Sequence, residues 1–183
     1  LCAGEVDLLD WCDRRLKPGD SLEAAMSLAR YRELLSDVEL SDADGSLRRL
    51  RTDYVDLYQA HHPDPTTPID ETLRAFDDVV RAGKARYVGC SNFLAYQVAR
   101  AVGRSEAQGL VRFDSVQPRF NLLFRQIERE LLPLCREEGI GVIPYNPLAG
   151  GFLSGKHRRE TGPTPGTRFT LGSAAKRYQD RYW

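Results

Sequence analysis

The sequence lacks most of what would tie it to a charged or apolar partner. Its 26 Lys and Arg balance 26 Asp and Glu, for a formal net charge of zero. No global field therefore draws it to nucleic acid or to an anionic membrane. No apolar run approaches the roughly 18–20 residues that span a bilayer. No basic stretch followed by an apolar run marks a secretory leader, so the expected location is the cytoplasm. The chain opens on Leu1 and not on Met, which reads as a fragment or a processed product. Cysteine is sparse and scattered: Cys2, Cys12, Cys90 and Cys135 form no CxxC pair, and the three histidines complete no zinc spacing. Reduced thiols and no metal are the expectation. No internal repeat of the solenoid kind is present.

What is there suits one soluble globular domain. The chain has 183 residues, 42% hydrophobic and 28% charged, enough for a real core. From Thr52 onward β-prone and helical stretches alternate. Tyr54–His61 is a short strand, stopped by Pro63 and Pro65. Thr67 can cap a helix, Pro68 suits its first position and Asp70 can close a capping box. Leu73, Phe76, Val79 and Val80 give that helix one apolar face, and Gly83 ends it. Ala85–Cys90 is the second strand, and Leu94–Gln108 a helix closed by Gly109. Phe113–Gln117 is the third strand. Ile127, Leu131, Leu134 and Cys135 mark a third helix stopped by Gly139, before a fourth strand over Ile140–Tyr145. Helices separate all four strands, which predicts parallel pairing and right-handed crossovers.

A doubly wound sheet and a (β/α)8 barrel both fit this rhythm. Polar residues at the C-terminal end of every strand favour the barrel: His61, Ser91-Asn92, Gln117 and Tyr145-Asn146. A dinucleotide-binding sheet would want GxGxxG after its first strand, and none is present. The two ends read differently. Residues 1–45 form a divergent N-terminal segment, with an amphipathic helix expected over Ser21–Val38 and a linker over Ser41–Gly45. Residues 46–183 form the strand–helix domain, and Gly162–Gly166 is a loop rich in breakers.

Four strings, in order, resemble the aldo-keto reductases. Asp53–His61 looks like the fourth barrel strand of that family and Gly83–Phe93 like the fifth. Val116-Gln117-Pro118 closes the sixth, and Gly141–Gly151 is similar to the seventh with its phosphate-side loop. The branch most resembled includes bacterial aldo-keto reductases and potassium-channel β subunits. The resemblance implies an α/β fold, a partial (β/α)8 barrel with strands four to seven recognisable. It implies an oxidoreductase that passes a hydride from NADP(H), in preference to NAD(H), to the carbonyl of a small aldehyde or ketone.

By the same resemblance His61 takes the role of the histidine that orients the carbonyl. An imidazole can donate to a carbonyl oxygen and shifts its proton with modest changes of surroundings; the plain alternative is a histidine that caps a strand end. Ser91, Asn92 and Gln117 match positions that hold the nicotinamide carboxamide, where amides offer both donor and acceptor. Tyr145 matches the aromatic stacked on the nicotinamide ring, or else packs in the barrel core. Asn146 stands where the family usually has serine; it is bulkier but can still bond a phosphate. Leu148, Ala149 and Gly150 would offer backbone N–H groups to the cofactor phosphates. Lys156 and Arg168 match basic positions nearby, with Arg168 reading a 2′-phosphate, or are solvated surface charges. His62 and His157 read as solvent-facing loop residues.

The family's acid tyrosine, lysine and aspartate belong to its first three strands. In residues 1–45 there is neither an Asp-Thr-Ala…Tyr string nor a strand ending in Lys. Lys17 sits in a loop-like Arg15–Gly19 and Tyr31 in the expected helix, so neither inherits a role. The family's last strand would lie after Trp183. The chain alone is therefore expected to reduce carbonyls poorly. Other readings remain: a cofactor-binding or regulatory protein without chemistry, an inactive truncated product, or another barrel enzyme such as a lyase. A lyase would require metal carboxylates or a Schiff-base lysine at the strand ends, and neither is seen.

Overall fold

The computed structural model describes residues 41–183. Cys2, Cys12, Lys17, Tyr31 and the helix expected over Ser21–Val38 lie outside the described residues. The chain divides into two compact units, the first ending at Asp114 and the second running Ser115–Trp183.

In the first unit, β1 (Val55–Ala60) pairs in parallel with β2 (Ala85–Ser91), Val55 opposite Ala85 and Ala60 opposite Cys90. A parallel pair needs a long crossover, and α2 (Ile69–Arg81) supplies it. The helix buries Thr72, Leu73, Phe76 and Asp77, one face at helical spacing. After β2 comes α3 (Ala95–Gln108), which buries Val98, Ala101, Val102 and Ser105. Phe113 closes this core, with the rings of Phe76 and Phe93 edge-on to it at 5.9 and 5.7 Å. Leu73, Val88, Cys90 and Val98 are fully buried around it. The α2 exit is as expected: Gly83 adopts φ 71°, a left-handed turn that a side chain would strain.

Two local expectations fail here. The capping box is not formed: Thr67 Oγ1 donates to Asp64 Oδ2 at 2.6 Å, and α2 starts after Pro68 without a side-chain cap. Asp70 instead accepts from Gln108 of α3. The aspartate of the preceding turn thus outcompetes the helix end for the threonine hydroxyl. Ser41–Gly45 is no linker but the first half of α1 (Ser41–Leu50). Leu47 is buried, and Asp44 forms an ion pair with Lys84 at 2.8 Å across 40 positions of sequence. Tertiary partners, not propensity, hold this short polar helix.

In the second unit, β3 (Ser115–Gln117) pairs in parallel with β4 (Gly141–Val142), Ser115 opposite Gly141 and Val116 opposite Val142. Both are shorter than expected. Pro144 lacks the N–H that would continue the ladder, although Tyr145 rejoins, donating to the Pro118 carbonyl at 2.9 Å. The helix expected from Ile127 also splits. A 3-10 turn at Gln126–Glu128 is followed by α4 (Leu131–Glu137). Pro133 explains the break: its ring is tolerated in a first turn and would clash further in. Beyond the 3-10 segment Ala149–Ser154, a last helix α5 (Ala174–Tyr182) was not expected from the sequence. Phe169 is fully buried among Phe152, His157, Tyr178 and Trp183, with ring centroids 4.8–6.4 Å apart. His157 therefore packs half-buried in an aromatic cluster and is not the purely solvent-facing residue expected. Its Nδ1 accepts the Thr164 N–H at 3.1 Å, and its buried Nε2 has no hydrogen-bond partner. Among the described residues no helix is long and apolar enough to cross a membrane.

Candidate functional site

The expected site residues fall on both units. His61, Ser91 and Asn92 belong to the first. Gln117, Tyr145, Asn146, Leu148, Ala149, Gly150, Lys156 and Arg168 belong to the second.

His61 follows the last residue of β1, and Ser91 ends β2, so parallel pairing brings the two strand ends side by side. Asn92 then fastens them. It adopts φ 61°, a left-handed conformation that asparagine tolerates better than most residues. From there its Nδ2 donates to the His61 carbonyl at 2.9 Å and to Ser91 Oγ at 3.1 Å. The imidazole of His61 is half-buried, and its Nδ1 is buried without a hydrogen-bond partner. Burial holds its pKa below the usual 6.5, and the neighbouring His62, whose ring centroid is 4.4 Å away, adds to this. Protonation would also place an N–H on Nδ1 with nothing to accept it. The packing thus favours a neutral ring with its proton on Nε2, a hydrogen-bond donor and not a cation. His62 is exposed, as expected.

On the second unit, Tyr145 is half-buried between β4 and the phosphate-side loop. Desolvation raises its phenol pKa against the opposing pull of Arg119 and Arg181, so the ring stays neutral. The loop after it is unusual. Asn146, Ala149, Gly150 and Gly151 adopt φ of 61°, 50°, 69° and 97°, and Leu148 at φ −94°, ψ 16° before left-handed Ala149 makes the right-then-left pairing that turns successive backbone N–H groups to one side, as at anion sites. The N–H groups of Ala149, Gly150 and Gly151 are engaged within the chain. Ala149 N–H donates to the Asn146 carbonyl at 2.9 Å and Gly150 N–H to Asn146 Oδ1 at 2.5 Å. Gly151 N–H and Leu153 N–H go to the Leu148 carbonyl at 2.9 and 3.2 Å. The Leu148 side chain is exposed.

Basic and phenolic groups surround this loop. A Cβ built on Gly151 would lie 3.0 Å from Lys156 Nζ, so the ammonium sits directly over the glycine. A Cβ on Gly150 would meet the Tyr178 ring at 2.5 Å. Arg168 donates to Tyr178 Oη at 3.1 Å. Asn146 Nδ2 donates to Tyr182 Oη at 2.8 Å. The structure thus gathers Asn146, Ala149, Gly150, Lys156 and Arg168, and adds Tyr178 and Tyr182, which sequence reasoning missed. The available signal was two tyrosines four apart in Ala174–Tyr182, one helical turn on one face. Charge follows the same division. From Ser115 onward there are eleven Lys and Arg against six Asp and Glu, and before it fifteen against twenty. Net neutrality hides a basic second unit, a favourable environment for a ligand carrying several phosphate charges. Among the described residues no three His, Cys, Asp or Glu gather to hold a metal ion.

The family model for the aldo/keto reductase family matches residues 38–178. The chain belongs to the aldo/keto reductase family. It is 44% identical over 111 residues to an aldo-keto reductase of Fusarium vanettenii, a match covering 61% of this chain and 30% of that protein. It is 38% identical over 154 residues to the aflatoxin B1 aldehyde reductase member 2 of Mus musculus, covering 83% of this chain and 42% of the relative. Its fold is similar to that of the glycerol dehydrogenase AKR11B4 from Gluconobacter oxydans, with a TM-score of 0.61 and 31% identity over 82% of this chain and 43% of that one. This aldo/keto reductase chain thus spans 30–43% of the length of these three relatives. Its parallel strands and crossover helices are those of a partial (β/α)8 barrel, as the sequence strings implied.

Proposed function

We propose that the chain contributes carbonyl orientation and cofactor binding to NADP(H)-dependent reduction of a small aldehyde or ketone. His61 carries the reading. Its half-buried imidazole, at a strand end and held toward the neutral form by burial, can donate from Nε2 to a carbonyl oxygen without the desolvation cost of a buried cation. A bound nicotinamide supplies the hydride. By the family resemblance Ser91 and Asn92 on the first unit are candidates to hold its carboxamide; on the second unit, taken by itself, Gln117 would offer an amide and Tyr145 a neutral ring. The residues near the loop fit the rest of the cofactor. The Asn146–Gly151 run has the curled backbone of an anion site, Lys156 lies over it, and Arg168 is exposed with Tyr178 bracing its guanidinium. A guanidinium suits a phosphate dianion, which supports NADP(H) over NAD(H).

Titration of the chain with NADPH tests this. A saturable rise in melting temperature is expected, larger than with NADH and reduced by Arg168→Gln. No shift with either dinucleotide overturns the cofactor reading. A second reading, binding without chemistry, is favoured by the absence of the acid tyrosine, lysine and aspartate strings from residues 1–45. The oxygen of the reduced carbonyl needs a proton, and no residue of this chain inherits that duty. Consumption of NADPH with aldehydes separates the two: the chain alone is expected to turn over poorly. Robust turnover lost in His61→Ala would make the chain a complete catalyst.

A further inference from the structure

The phosphate-side loop is satisfied by its own first residue. Asn146 Oδ1 accepts the Gly150 N–H at 2.5 Å, while its backbone carbonyl accepts the Ala149 N–H at 2.9 Å. The same amide reaches out of the loop in the other direction, Nδ2 donating to Tyr182 Oη at 2.8 Å. Asn121, itself buried, donates from Nδ2 to the Asn146 carbonyl at 3.1 Å and to Tyr182 Oη at 3.3 Å. One turn earlier on α5, the Tyr178 ring fills the space over Gly150. One side chain therefore spans the loop and the last helix, and the helix lies across the loop through two tyrosines.

We propose that Asn146 is a built-in placeholder for a phosphate oxygen, and that α5 acts through Tyr182 as a strap on the loop. The inference rests on reading Asn146–Gly151 as the diphosphate loop. A neutral amide oxygen occupies the position from which an anion would accept the Gly150 N–H. A nucleotide diphosphate displaces it, because hydrogen bonds to a charged acceptor are stronger than those to a neutral one. A ligand without a diphosphate has nothing to offer in exchange. Serine, the residue that the family resemblance led one to expect here, has a side chain too short to hold both Gly150 and Tyr182. Asparagine thus sets how readily this loop opens, and so tunes affinity and selectivity for diphosphate ligands.

The test uses the 183-residue chain with NADPH and ADP as probes, affinity by calorimetry and the Gly150 amide followed by hydrogen exchange. Asn146→Ser is expected to tighten both ligands about three- to tenfold, the worth of one competing hydrogen bond, and to speed exchange at Gly150 without ligand. Asn146→Asp keeps an acceptor on Gly150 and adds negative charge, so both ligands should weaken about tenfold or more. Tyr182→Phe removes the strap's hydroxyl and should tighten binding less than Asn146→Ser does. Wild-type binding with Asn146→Ser equal to or weaker than wild type overturns the placeholder and leaves the loop assignment standing. If Asn146→Ser fails to fold, Tyr182→Phe decides in its place, unchanged or weaker binding overturning the proposal. If neither wild type nor variants bind NADPH or ADP, the loop assignment itself falls, and the placeholder with it.

Discussion

The two units hold their functional groups by different means. In the first, five strand partners from Val55–Ala85 to Ala60–Cys90 fix the backbone, and His61 and Ser91 follow from where the strands end. In the second, the ladder is two residue pairs long, and the candidate groups sit on a left-handed loop, a breaker-rich tail and a terminal helix. Their positions depend on side chains: aromatic rings around Phe169, and the amides and phenols of Asn121, Asn146, Tyr178 and Tyr182. A site built on paired backbone is rigid through hydrogen bonds that almost any sequence can make. A site built on side-chain contacts is only as firm as each residue in it.

Four experiments can sharpen or break that contrast. The largest effect is expected in the two aromatic cores. Phe113→Ala and Phe169→Ala should each cost about 3–5 kcal/mol, measured by denaturant unfolding. They should differ in reach. Phe113→Ala weakens β1, β2 and their helices, whereas Phe169→Ala frees the tail to proteolysis while leaving amide exchange in β1 and β2 slow. Equal loss of protection in both units after Phe169→Ala would break the contrast.

Gly150→Ala comes next. It forces a side chain onto φ 69° and into the Tyr178 ring, for an expected cost of about 2–4 kcal/mol. Adding Tyr178→Ala should return all but the backbone strain of about 1 kcal/mol. A double variant no more stable than Gly150→Ala would show that the ring does not lean on the loop.

Lys84→Met removes the partner of Asp44 that fastens α1 to the first unit. Both groups are partly exposed, so a loss of about 0.5–1 kcal/mol is expected. Enhanced exchange confined to α1 would accompany it, and unchanged exchange would return Ser41–Gly45 to linker status.

The smallest effect concerns pH. The folded chain holds His61 below its ordinary 6.5, so the unfolded chain binds the proton more readily. This contribution to stability is fully present above pH 6.5 and is lost as pH falls from there through the folded pKa. His61→Gln should flatten the melting-temperature profile between pH 7.5 and about 5.5; an unchanged slope would place the titrating group elsewhere.

These features were unevenly visible in the sequence. Local patterning located β1, α2, β2 and α3 to within a residue or two, because each helix buries one face and closes on a glycine, and each strand is a β-prone run that gives way to polar residues or prolines. The site residues of the first unit stood out for the same reason, as polar residues where a strand must stop. Prolines blurred the second unit. Pro133 delayed α4 and Pro144 cut β4 short, each by removing an N–H that the apolar pattern alone does not count. Thr67 had two acceptable partners in reach, and only the folded turn chose Asp64. The role of His157 was invisible because its partners, Phe152, Phe169 and Trp183, come from three separate stretches of the tail.

By itself the sequence determined the family, the order of strands and helices, and the strand-end position of His61, since these follow from local periodicity and from strings of neighbouring residues. Only the tertiary structure decided that Asn92 ties His61 to Ser91, that Asn146 closes its own loop, and that Tyr178 and Tyr182 lie over it. The physical reason is reach. Periodicity records which face of an element is buried, but a hydrogen bond between positions 146 and 182 exists only once the chain between them has folded back.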